Sequence, residues 1–174
     1  AARSQTTPQE FTPCDPFSTA PLAHARHLFQ PLPTHGTKAP LMKHPEIASL
    51  DHLVLTVGDL EATLAFYSDI LGMKVERFTG ADGSKRHALR FGSQKINVHR
   101  WGAEYDPKAA YPGPGTADMC LLSDTPLDVW QTHFEDNDVP IEEGPVERTG
   151  ATGPLMSLYI RDPDGNLLEV STRV

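Results

Sequence analysis

Arg161-Asp162-Pro163-Asp164-Gly165-Asn166-Leu167-Leu168-Glu169-Val170 is the stretch on which the reading of this 174-residue chain turns. Its first half is a turn: Pro163 fixes its own φ, and Gly165 supplies a positive one. Its second half alternates as a strand. Leu168 and Val170 face one side, and Leu167, Glu169 and Ser171 face the other. Glu169 is then a carboxylate in the last strand of a compact domain, where a charge is costly unless paired or bound to a metal. A lone glutamate there would most simply sit on a solvated sheet face. The rest of the chain gives it company.

Working back from that strand, the pattern occurs twice. Leu50 to Val57 read as a strand, with His52, Val54 and Thr56 on one face and Leu53, Leu55 and Val57 on the other. Gly58-Asp59 breaks it, and Asp59 can cap a helix. Leu60, Leu64, Tyr67 and Leu71 recur at helical spacing, and Gly72 ends the helix. Strands follow at Met73–Phe78, Arg86–Phe91 and Lys95–Arg100; in the last, Ile96 and Val98 oppose Asn97 and His99. After a Pro- and Gly-rich loop through 111–115, Thr116–Ser123 reads as a strand with Asp118, Cys120 and Leu122 on one face. Thr125 is expected to cap a helix with Pro126 at its first position and Leu127, Trp130 and Phe134 as its apolar side. Strands around Ile141–Val146, Leu155–Arg161 and Leu167–Thr172 close the second half. The two halves share element order, and His52 and Asp118 hold equivalent places in their first strands. The expected fold is α+β, two βαβββ modules forming a cleft, at about 47–104 and 115–174.

Residues 1–46 read as a separate Pro-rich arm. Eight of the 16 prolines fall there, with His24, His27, His35 and His44 at no spacing that suits a metal site. A short helical turn is expected at 20–30, and no contribution to the chemistry of the cleft. Net charge is −8. Four of the 15 basic and two of the 23 acidic residues precede residue 46, which leaves 11 against 21 in the body. That excess of acid argues against nucleic acid or an anionic membrane as partner. No apolar run has the length of a membrane span. Cys14 and Cys120 make neither a disulfide framework nor a Cys-type zinc site. The start at Ala-Ala-Arg-Ser fits a processed N-terminus, and no signal-peptide core is visible, so a cytoplasmic or organellar location is expected. Phosphate loops, dinucleotide fingerprints and serine-hydrolase elbows are absent from the sequence.

Four side chains stand together in this scheme: His52 in the first strand, His99 in the fourth, Asp118 in the fifth and Glu169 in the last. Each lies on the strand face away from the apolar residues. Two imidazoles and two carboxylates suit a divalent first-row ion, Zn, Ni, Co, Mn or Fe. Cys120 shares the Asp118 face and reads as a small packing residue.

Over roughly 48–173 the chain resembles the vicinal oxygen chelate superfamily, which contains glyoxalases, bleomycin-resistance proteins and extradiol dioxygenases. The resemblance rests on Leu50-Asp51-His52-Leu53-Val54-Leu55-Thr56-Val57, Phe66-Tyr67 through Leu71-Gly72-Met73, Lys95-Ile96-Asn97-Val98-His99, Pro140-Ile141-Glu142-Glu143-Gly144-Pro145-Val146, Arg148-Thr149-Gly150-Ala151 and the closing 161–170 stretch. The middle stretches resemble the glyoxalase-domain-containing protein 5 subgroup. The superfamily places metal ligands on the first and fourth strands of each half. His52 and Glu169 match those positions residue for residue. His99 lies on the expected strand, with Asn97 two residues earlier as the competing alignment. Asp118 stands where lyases and dioxygenases commonly carry His, which leaves it open as ligand, base or neither.

The resemblance implies a metal-dependent, glyoxalase-like lyase or isomerase acting on a small substrate chelated through adjacent oxygens. In that chemistry the metal stabilises an enediolate while a carboxylate, here Glu169, moves a proton. One alternative is an Fe(II) extradiol-type dioxygenase using His52, His99 and Glu169. Another is a non-catalytic subunit docked into a larger assembly through residues 1–46. A homodimer is the further expectation.

Overall fold

The computed structural model describes residues 44–174, and the chain divides into a unit ending at Pro45 and a body, Glu46–Val174. The helical turn expected at 20–30 lies outside the described residues. In the body, β1 (His52–Val57) leads into α1 (Leu60–Ala65), which widens into a π-helical turn at Phe66–Ile70. The strands β2 (Lys74–Thr79), β3 (Lys85–Phe91) and β4 (Gln94–Arg100) complete the first module. The second runs β5 (Asp118–Leu122), α2 (Leu127–Asp136), β6 (Glu143–Gly150), β7 (Gly153–Arg161) and β8 (Leu167–Arg173).

The two modules repeat one topology. The first sheet has the order β1-β4-β3-β2 and the second β5-β8-β7-β6, with β1 parallel to β4, β5 parallel to β8 and the other pairs antiparallel. β1 and β5 therefore both lie at a sheet edge. Asp59 caps α1 as expected, its carboxylate accepting the Ala62 amide at 3.0 Å, and Gly72 leaves the helix at φ +67. The cap of α2 differs from expectation. Pro126 itself takes the cap position with extended backbone, and α2 begins at Leu127. The first helical amide, that of Trp130, bonds the Pro126 carbonyl at 3.3 Å, so Thr125 lies one residue before the cap. β6 also runs four residues past Val146, beyond an irregularity between Glu143 and Val146.

One core joins both modules. Leu55, Val57, Leu89, Ile96 and Val98 from the first sheet pack with Leu158, Ile160, Leu168 and Val170 from the second, around Leu64 and Tyr67 of the first helix and Phe134 of α2. These are the apolar faces that alternation predicts. The opposite, polar face of each sheet is thereby turned away from the shared core.

The Asp-Pro-Asp-Gly turn pins the modules together. Asp162 is 5% exposed, and its Oδ1 accepts the amides of Asp164 (3.0 Å) and Asn166 (2.9 Å). Its Oδ2 accepts the Tyr67 hydroxyl (3.0 Å) and Asn166 Nδ2 (2.7 Å). Asn166 Oδ1 accepts the Ala117 amide ahead of β5, and Asp164 accepts the Gly58 amide at the end of β1. Burial and the neighbouring Asp162 carboxylate push the Tyr67 phenol far above its ordinary value, so it stays a donor. Among the described residues no helix is long and apolar enough to cross a membrane.

Candidate functional site

Register places the four singled-out side chains on two surfaces. In the parallel β1–β4 pair, His52 lies beside Lys95, Val54 beside Asn97 and Thr56 beside His99, so all six share the face turned from the core. His52 stands at the open start of β1, 43% exposed, with Nδ1 2.7 Å from Asp51 Oδ1. That bond holds the Asp51 carboxyl below the usual carboxylate range. His99 is 9% exposed, with its ring edge-on to Tyr105 at 5.1 Å. Burial, then the Arg86 guanidinium, lowers its pKa, which favours the neutral imidazole a metal requires. Asn97 Oδ1, on the same face, is buried with no hydrogen-bond partner. A cavity of about 410 Å³ opens here, bounded by Thr56, His99 and residues 107–117 of the connecting loop, among them Lys108 and Tyr111.

The second surface is the polar face of the other sheet. Asp118 pairs with Leu167, Cys120 with Glu169, and Glu169 with Tyr159. Glu169 Oε1 accepts the Ser157 hydroxyl at 2.6 Å and the Ser171 hydroxyl at 3.3 Å, and the two serine oxygens lie 2.8 Å apart. Both serines are fully buried. Glu169 Oε2 accepts no hydrogen bond among the described residues, so one carboxylate oxygen is fixed and the other is open. Cys120 Sγ is 3.4 Å from Ser171 Oγ, and partial burial pushes its thiol up. On β6, Arg148 donates from Nε to the Tyr159 hydroxyl at 2.9 Å and from a terminal nitrogen to Glu143 at 2.8 Å. Asp118 and Glu169 both line a shallow depression of about 570 Å³.

The structure thus brings Asp118 within two residues of Glu169 in register, but it sets His52 and His99 four residues apart on their shared face, about 13 Å along the strands, and it does not gather the four. Among the described residues, no three His, Cys, Asp or Glu side chains are placed to hold a metal ion. The expectation that all four converge on one ion is not met within a single chain. The reason is the shared core: both apolar faces point inward, so the two polar faces point outward on different sheets. Sequence reading also passed over Ser157, Tyr159 and Arg148. Alternation alone would put Ser157 and Tyr159 on one face of β7, but which face meets Glu169 depends on the β7–β8 register.

A family model described as "Glyoxalase/Bleomycin resistance protein/Dioxygenase superfamily" matches residues 49–170. Virulence protein STM3117 of Salmonella typhimurium is 49% identical over 128 residues, covering 74% of this chain and 86% of that one. A lactoylglutathione lyase from the same organism is 30% identical over 129 residues, covering 68% of this chain and 88% of that one. Among solved structures, an integron cassette protein from V. cholerae superposes with a TM-score of 0.70 at 54% identity, over 75% of this chain and 98% of that one.

Proposed function

The chain belongs to the Glyoxalase/Bleomycin resistance protein/Dioxygenase superfamily, and from that membership we propose that it is a metal-dependent lyase or isomerase of the glyoxalase type. Its substrate is a small molecule presenting two adjacent oxygens. The observation that carries the reading is Glu169. It sits at the ligand position of the closing motif, one oxygen fixed by two buried serine hydroxyls and the other open. The 30% identity to a lactoylglutathione lyase supports the reaction class.

The donors of one chain do not suffice for an ion, but their chemistry suits one when two chains are counted. His52 and His99 lie on an outward face with an edge strand, β1, and Asp118 and Glu169 lie on another with the edge strand β5. A second copy that sets its β5–β8 face against the β1–β4 face of the first would bring its Asp118 and Glu169 to His52 and Asn97, which stand within two residues of each other in the β1–β4 register, with His99 a further two residues along. Asn97 Oδ1, buried without a partner, is a further oxygen donor on that face. A divalent ion so held supplies a Lewis acid for adjacent substrate oxygens. The chain's own contribution is to keep His99 neutral by burial and to aim the free oxygen of Glu169 into the site, where it can take up and return a proton.

The test is metal content and turnover of wild type and Glu169→Gln. The substitution should cut bound metal at least tenfold and abolish thioester formation from methylglyoxal plus glutathione or a related oxo-aldehyde adduct. Equal metal content in both proteins would refute the assignment. Oxygen uptake with ring cleavage of catechols under Fe(II) would replace the reaction class with a dioxygenase.

A further inference from the structure

Glu169 stands between two depressions of opposite character. The one it shares with Asp118 also holds Glu142 and Glu143, four carboxylates against the guanidiniums of Arg148 and Arg161. The other, of about 420 Å³, holds Arg148 and Arg173 against Glu169 alone, walled by Leu122, Leu155 and Ala151. Two guanidiniums in one depression run against the trend of a body with 11 basic and 21 acidic residues.

The two arginines are not equivalent. Arg148 is immobilised: it donates to Tyr159, Glu143 and the Glu147 carbonyl, and its guanidinium carbon lies 5.1 Å from the Tyr159 ring centre. Much of its charge is already met by Glu143. Arg173, on β8 four residues beyond Glu169 and on the same face, has no ion-pair partner among the described residues. Its planar fork is therefore available for a carboxylate, which it matches with two parallel hydrogen bonds.

We propose that this depression is an anion subsite, in which Arg173, unpaired among the described residues, takes a carboxylate at one end of a short substrate and so determines its specificity. The inference rests on Glu169's face being the substrate site. The volume suits a small organic acid. Leu122, which is half exposed, and the buried Leu155 offer apolar contact to its hydrocarbon middle. The end that reaches Glu169 carries neutral oxygens, because a second carboxylate there would meet like charge. The substrate class is a short-chain acid with a carboxylate at one end and a neutral function with two adjacent oxygens, hydroxy-oxo or dioxo, at the other.

The probe is 4-oxopentanoate, with its uncharged amide as the matched control, titrated calorimetrically into metal-free full-length chain. Saturable binding is expected for the acid and at least tenfold weaker binding for the amide. Arg173→Gln should lose at least tenfold for the acid. Arg161→Gln, which removes the same charge from the acidic depression, should bind the acid like wild type. Equal binding of acid and amide, undiminished binding by Arg173→Gln, an equal loss in Arg161→Gln, or no saturable binding by wild type would each overturn the proposal. Inorganic phosphate binding as tightly as the acid would overturn the carboxylate assignment. Since no metal and no turnover enter the measurement, its outcome is independent of the metal and activity tests on Glu169→Gln.

Discussion

Glu169 is held by hydroxyls rather than by cations. Ser157 and Ser171 orient the carboxylate without neutralising it, so its charge remains available to an ion or a proton. His99 is held the other way, by removal from water. The folded chain resists a proton that the unfolded chain accepts, so between the lowered value and the ordinary 6.5 the unfolded state binds more protons. Stability rises with pH across that window, is complete above about 6.5 and is lost as pH falls below it. Denaturant unfolding of metal-free protein between pH 5 and 8 should show this acid-side loss, and His99→Gln should flatten it. An unchanged slope in the variant would show that His99 is not its source. At this scale the sequence was informative where a motif fixed a position, as for His52 and Glu169. It was silent where partners come from another strand: Ser157 and Tyr159 meet Glu169 only through the β7–β8 register, and that register is set by tertiary packing.

The Asp-Pro-Asp-Gly turn shows how one element can serve both the fold and the site. Gly165 takes φ +84, and the turn returns the chain directly into β8. Asp162 gathers four donors beneath it, one of them the Tyr67 hydroxyl from the other module. Tyr67→Phe removes one donor from a buried carboxylate and leaves the ring packing in place. It should cost about 1–3 kcal/mol, read as a shift in the denaturation midpoint at unchanged m-value; a change near zero would mean that water replaces the hydroxyl. Turn and strand were legible here because Pro, Gly and strict alternation each have a single local meaning. The cap of α2 was not, because Thr125 before a first-turn proline and Pro126 itself are both permitted starts, and only the folded chain shows that the Pro126 carbonyl accepts the first helical amide.

The duplication was legible at the scale of the whole molecule, since two runs of the same element order precede two outward-facing acid or imidazole pairs. How the modules face each other was not, because alternation says which residues share a face and nothing about where that face points. All the core side chains named above lie between residues 55 and 168–170, within the body. A chain beginning at residue 46 should therefore unfold in one cooperative transition and retain its metal; an insoluble or metal-free product would contradict this. The central claim is that the chemistry needs both polar faces, contributed by two copies. His52→Ala and Glu169→Gln chains, each inactive alone, should regain activity when unfolded together and refolded as a mixture. Random pairing of an isologous dimer makes half the dimers mixed, each with one intact site of two, so recovery should reach roughly a quarter of the wild-type level. No recovery in a mixture shown to contain the hybrid dimer would contradict the account.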